Sequence, residues 1–160
     1  MPDVPVDPAR FRQVLGHFPT GVSVITAMDG NQPVGLAIGS FFSVSLDPPL
    51  VGFCAAKSSS SWPRIRSAGA FSVNVLAEDQ EDLCRVFASK VPDKFAGAGW
   101  ARSGHGQPLL DGALASLDCD IDAVHEAGDH DIVIGAVRDL RVARESGPLV
   151  FFRGGYANLA

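Results

Sequence analysis

The stretch GLAIGSFFSVSLDPPL, from Gly35 to Leu50, sets small residues, hydroxyls and paired prolines into what otherwise reads as a buried strand. Gly35, Ala37 and Gly39 leave one edge of the chain nearly bare, as a backbone must be if a flat ligand is to approach its N–H and C=O groups. Ser40, Ser43 and Ser45 add hydroxyls that donate and accept. Asp47-Pro48-Pro49 ends the segment stiffly, since neither proline has an N–H for a sheet. The same residues also suit a bulged strand with a turn at a barrel corner.

The flanking segments read as strands and turns. Upstream, Val22 to Ala27 and Pro33 to Ile38 are joined across Asp29-Gly30-Asn31, the signal of a hairpin. Asp7-Pro8 opens a helix that carries Phe11, Val14, Leu15 and Phe18 on one face and stops at Pro19. Downstream, Leu50 to Ala56 is an apolar strand. Lys57 and the serines Ser58 to Ser61 follow it, leading into a short helix from Trp62-Pro63 to Gly69, with a serine as its cap. Phe71 to Leu76 reads as a strand and Glu78 to Ala88 as a surface helix with acids at its front. The glycines between Ala96 and Gly112 imply a long loop. Ala115 to Ala123 alternates, which places Leu117, Cys119, Ile121 and Ala123 on the core face and Asp118, Asp120 and Asp122 in water. After a turn at Glu126 to Asp129 come His130 to Val142 and a last strand, Pro148 to Phe152. Antiparallel strands joined by turns, with a few peripheral helices, indicate a mainly β protein built as a small closed barrel.

The totals narrow the function. A chain of 160 residues, 46% hydrophobic, has room for one core, so a single domain over residues 1–160 is expected. A net charge of −5, with scattered lysines and arginines, gives no footprint for nucleic acid. The start MPDVPVDPAR is unlike a secretory signal, and no apolar run has the length of a membrane span. Cys54, Cys84 and Cys119 are odd in number and set among apolar residues, which suits reduced thiols and a cytoplasmic protein. His17, His105, His125 and His130 form no metal-ligand pattern, so no metal is expected. Rossmann, Walker and nucleophile-elbow signatures are absent. Two features remain. Lys57, the serine run and the start of the helix at Trp62 have the composition of a phosphate site or of a solvated loop. Gly128-Asp129-His130 is a tight turn that ends in an imidazole, either a simple turn residue or a substrate contact.

These segments together carry a resemblance. Phe18-Pro-Thr-Gly-Val22, Ser40-Phe-Phe-Ser-Val-Ser-Leu-Asp-Pro-Pro-Leu50, Phe71-Ser-Val-Asn-Val-Leu76, Gln80 with Phe87-Ala88, Asp93-Lys-Phe95, and Gly128-Asp-His130 with Ile134-Gly135 resemble the short-chain flavin reductases. These are the reductase components of two-component flavin-dependent monooxygenases. The resemblance implies an FMN-binding split β-barrel of Greek-key antiparallel type and a homodimer. It also implies FMN or FAD in a groove and NADH or NADPH as reductant, with reduced flavin passing to a separate monooxygenase. Carried over by position, Thr20, Gly21, Val22, Ile38, Gly39 and Ser40 would lie along the isoalloxazine and ribityl chain, with Ser43 and Ser45 beyond. Ala55, Ala56, Lys57, Ser58, Ser59 and Trp62 would lie at the phosphate, and Phe87, Lys94 and Phe95 would close the outer side. His130 would face the nicotinamide, with Tyr156 beside it. Many members carry asparagine at the position of Gly39 and threonine at that of Ala37. Missing hydrogen bonds of about 1 kcal/mol each then predict weaker flavin retention. A flavin-binding electron carrier without NAD(P)H activity and a non-catalytic dimeric barrel module are the alternatives.

Overall fold

The computed structural model describes residues 5–159, so the reading of the amino terminus falls partly outside the described residues. Its elements are α1 (Pro8–Leu15), β1 (Thr20–Gly21), β2 (Ser23–Asp29), β3 (Gln32–Ile38), β4 (Phe42–Ser45), β5 (Leu50–Ala56), α2 (Trp62–Ala68), β6 (Ala70–Val75) and α3 (Glu81–Ala88). They continue with β7 (Trp100–Arg102), β8 (Pro108–Leu110), β9 (Ala115–Ala127), β10 (His130–Val142), β11 (Val150–Phe152) and β12 (Gly155–Ala157). Seven strands form one sheet in the order β3-β2-β6-β9-β10-β5-β4, and every neighbouring pair is antiparallel. The fold is therefore mainly β, with a large antiparallel sheet and few helices.

Turn chemistry sets the registers. β2 and β3 pair from Asp29–Gln32 to Ser23–Ile38 across a two-residue turn in which Gly30 takes a φ of +62°, a region open to glycine. β9 and β10 meet in the same way across Gly128-Asp129, with Gly128 at +64°, and this places His130 opposite Ala56 of β5. β4 pairs with β5 over a short, irregular register, which is the bulge expected of the Ser43–Ser45 segment. In hydrogen-bonding order β3 and β4 are the two edges, so the ladders themselves do not close the barrel expected from the sequence. Ser40 bridges the gap: its Oγ donates to Cys54 O at 3.1 Å and accepts from Cys54 N at 2.9 Å.

One core lies along β2, β3, β5, β6 and α2, where Phe53 is fully buried edge-on to Trp62 and Phe71, with ring centroids 6.0 and 5.1 Å away. A second packs α3 through Cys84 and Phe87 against Val22, Val24, Leu76 and Phe95. Several expectations change here. The N-cap residue of α2, Ser61, makes no side-chain capping bond; the hydroxyl that accepts from the Ser61 and Trp62 amides belongs to Ser59, at 3.2 Å each. α3 starts at Glu81 rather than Glu78, because the Glu78 amide donates to Gly147 O and the Gln80 side chain accepts from the Ala77 amide. The glycine-rich 96–112 segment is not all loop, since β7 and β8 pair within it. Asp118 is not in water: at 1% exposure it accepts from the Ser72 hydroxyl and, at 3.1 Å, from Arg141. The apolar face expected of α1 is not buried: Phe11, Val14, Leu15 and Phe18 are all at least half exposed, and Phe11, Leu15 and Phe18 wall an open cavity.

Candidate functional site

At the end of β3, Leu36 to Ile38, still paired with β2, and Gly39 and Ser40 beyond them border a groove of about 300 Å³ against β5. Leu36 to Ser40 form one wall, Cys54 and Ala56 the other, and His130 stands on the rim. Ala37, Gly39 and Ala56 keep this space free of side chains, so a planar ligand placed here meets backbone first. The His130 Nδ1 lies 2.6 Å from Asp129 Oδ1, which leaves Nε2 as the free ring nitrogen. That contact holds the exposed Asp129 carboxyl below its ordinary pKa. The Lys57 amide donates to Asp129 O at 2.9 Å, and its ammonium lies 3.3 Å from Glu126 Oε1, so the serine loop and the Gly-Asp-His turn are tied together.

A larger apolar cavity of about 550 Å³ shares Ala37, Ile38 and Gly39 with the groove and adds Thr20, Val22 and Tyr156. The Tyr156 hydroxyl lies 3.3 Å from Cys84 Sγ, and the Arg85 guanidinium sits 4.8 Å from the tyrosine ring centroid. Burial, followed by the thiol contact, pushes the Tyr156 phenol up to about 12, and burial likewise raises the Cys84 thiol. Thr20 Oγ1 is buried with no hydrogen-bond partner. It lies directly beneath the bare Cα of Gly39, where an added Cβ would come within 3.0 Å of it.

The structure therefore gathers Ile38, Gly39, Ser40, Ala56 and His130 around the groove and Thr20, Val22 and Tyr156 around the adjoining cavity. Gly21, Lys57 and Ser58 are exposed and Ser59 is half-buried; Ser43 and Ser45 lie on the edge strand β4. Ala55, Trp62, Phe87 and Phe95 are buried in the two cores, and the Trp62 indole N–H donates to Asp131 Oδ2 at 2.8 Å. Lys94 uses its ammonium within the fold, on Phe87 O at 3.0 Å and on Gly35 O and Ser61 Oγ at 3.3 Å each, and partial burial lowers its pKa. The bare edge read from the sequence at Ala37 and Gly39 does line the groove; sequence reasoning missed Leu36 and Cys54 as lining residues and gave Asp129 no role of its own, although an aspartate directly before a histidine at a turn is a readable signal. Among the described residues one group has metal-ligand proximity, His105, Asp118 and Asp139. Arg141 already bonds both of its carboxylates, at 3.1 and 2.8 Å.

An antiparallel sheet whose edge opens a side-chain-poor groove, with a histidine on its rim, is the setting in which the family can be placed. Residues 15–160 match the family model described as flavin reductase like domain, and the chain belongs to that family. A flavin reductase of Pseudomonas putida is 53% identical over 156 residues, which cover 97% of this chain and 92% of that protein. Among solved structures, nitrilotriacetate monooxygenase component B from Mycobacterium thermoresistibile superposes with a TM-score of 0.93 at 47% identity, over 95% of this chain and 86% of that one. The NADH:FAD oxidoreductase of Streptomyces globisporus, solved with NAD and FAD fragments, gives 0.91 at 37% identity, over 98% and 97%.

Proposed function

We propose that this chain is a single-domain NAD(P)H:flavin oxidoreductase that supplies reduced flavin to a separate monooxygenase. The observation that carries the reading is the groove between β3 and β5, open to a flat ring on its backbone side and bordered by His130. The kinship with a flavin reductase and with a monooxygenase component B supports the reaction class and the partner. The solved NADH:FAD oxidoreductase supports a nicotinamide as the electron source.

The residues fit a flavin on a physical test. Thr20 Oγ1 is a buried hydroxyl that lacks a partner, and it packs against Gly39, where an added Cβ would crowd it at 3.0 Å. A bound flavin would supply the chemistry, as acceptor of a hydride from the reduced nicotinamide. The chain needs no nucleophile or general base for this, which agrees with the missing catalytic signatures. Its part is placement. Ile38 to Ser40 would present backbone to the ring, the Ser40 clasp on Cys54 would set the groove width, and the hydroxyls at 58 and 59 with Lys57 would hold the phosphate. His130, with Nδ1 held by Asp129, offers Nε2 to the nicotinamide carboxamide. The exposed apolar face of α1, with Phe151 and Phe152, is covered in a homodimer, and the sheet acts as a split barrel around the flavin.

The test is oxidation of NADH and NADPH by the purified protein with FMN, with FAD and with no added flavin. Turnover that rises with added flavin is expected. A protein that binds flavin but does not oxidise either nicotinamide would be an electron carrier instead. Light scattering on a sizing column checks the dimer.

A further inference from the structure

The two walls of the groove share no strand ladder, because β3 and β5 are not neighbours in the sheet. Side chains join them instead. At one end the Ser40 hydroxyl bonds the Cys54 backbone. Past the other end β3 leads back to Gly35 and the chain after Ala56 leads on to Ser61, and Lys94 spans the two. Its ammonium donates to Gly35 O and to Ser61 Oγ at 3.3 Å each, and a third bond, 3.0 Å to Phe87 O, fixes it to the end of α3. Gly35 is bare at this junction, where an added Cβ would lie 2.8 Å from the Phe87 ring.

The three N–H donors of the ammonium meet three acceptors, so Lys94 is satisfied without a ligand. None of these acceptors is a carboxylate, and Lys94 has no ion pair among the described residues. A half-buried cation without a counter-charge is costly to hold, and burial pushes its pKa below the ordinary lysine value. Ser61 is diverted to the same end. It is the N-cap residue of α2, yet its buried hydroxyl caps nothing and receives Lys94. The Ser61 and Trp62 amides then donate to Ser59 Oγ at 3.2 Å each, which leaves the Ser59 hydroxyl proton to donate to an anion.

We infer that Lys94 is a positioning residue for the flavin phosphate: it holds the serine loop to β3, so that Ser59 presents its O–H to the phosphate, and it touches no flavin atom itself. This rests on the flavin reading of the groove.

Flavin fluorescence titration of the full chain, of Lys94→Met and of Ser61→Ala measures the affinity for FMN and for riboflavin, which lacks the phosphate. The readout is the ratio of the two affinities, since a general loosening of the fold lowers both alike. The unsubstituted protein should prefer FMN by about tenfold or more, and Lys94→Met should weaken FMN about tenfold with riboflavin unchanged. Ser61→Ala removes only the acceptor on the loop and should weaken FMN about threefold, again with riboflavin unchanged. Equal losses of FMN and riboflavin overturn the inference, as does an unchanged FMN affinity in both variants. An unsubstituted protein that binds the two flavins equally well overturns the phosphate placement, and the inference with it, while the flavin reading stands. Failure to bind either flavin overturns that reading itself. If Lys94→Met does not fold, Ser61→Ala decides, because the Ser61 hydroxyl makes no other bond among the described residues.

Discussion

Replacing Thr20 with valine should move stability and flavin affinity in opposite directions. In the ligand-free chain Thr20 Oγ1 is buried without a partner. A buried hydroxyl in that position costs about 1–3 kcal/mol relative to a satisfied one, and valine keeps nearly the same shape without the polar atom. The ligand-free variant should therefore gain about 1 kcal/mol, which for a domain of this size raises the thermal midpoint by roughly 2–4 °C. If the hydroxyl is reserved for a flavin above Gly39, the variant also lacks one hydrogen bond in the complex. That loss of about 1 kcal/mol weakens affinity about fivefold. Thermal unfolding followed by circular dichroism, with and without FAD, and flavin fluorescence titration read both effects. A lower midpoint without flavin would refute the view that the hydroxyl is unsatisfied. A higher midpoint with unchanged affinity would remove Thr20 from the flavin site.

Gly135→Ala should destabilise the fold by about 1–3 kcal/mol, read as a lower urea midpoint, because overpacked sites cannot relax; its Cβ would lie 2.6 Å from the ring of the fully buried Phe71 and 3.1 Å from Cys119 Cβ. His130→Ala should raise the KM for the nicotinamide about tenfold, the worth of one hydrogen bond of about 1.4 kcal/mol, with flavin affinity unchanged. Equal losses of both would give His130 a structural role. Stability should fall as pH rises from 10 to about 12, because the folded chain keeps the Tyr156 proton that the unfolded chain releases near 10. Cys84 and Cys119, also raised by burial, add to the fall from pH 9 upward, so Tyr156→Phe should flatten the slope above pH 10 without abolishing it.

What was legible in the sequence is what local chemistry decides. Gly30 and Gly128 fix two-residue turns, and with them the hairpins that bring His130 opposite Ala56. The serine run and the Gly-Asp-His turn were readable as residue types, and their link through the Lys57 amide and Asp129 O follows from the register of β5 on β10. What was not legible depends on partners distant in the chain. Asp118 reads as a solvent-facing position by alternation, yet Arg141 and Ser72, 23 and 46 residues away, make its burial possible. Lys94 is placed by the resemblance on the outer side of the flavin, and nothing local shows that its ammonium has three acceptors within the fold, from β3, α3 and the serine loop. The β7–β8 hairpin is hidden because glycines between short strands have the composition of a loop.

The clasp between Ser40 and Cys54 is one side chain where a sheet would ordinarily have a ladder. Its opening exposes two backbone groups and leaves every paired strand in place, so the groove can widen without any loss of secondary structure. The Cys54 amide should consequently exchange its hydrogen with solvent faster than the amides of Phe53 and Ala55 beside it, at a rate set by this local motion rather than by global unfolding. Slowing of that single amide when flavin is added would report the closing of the groove residue by residue.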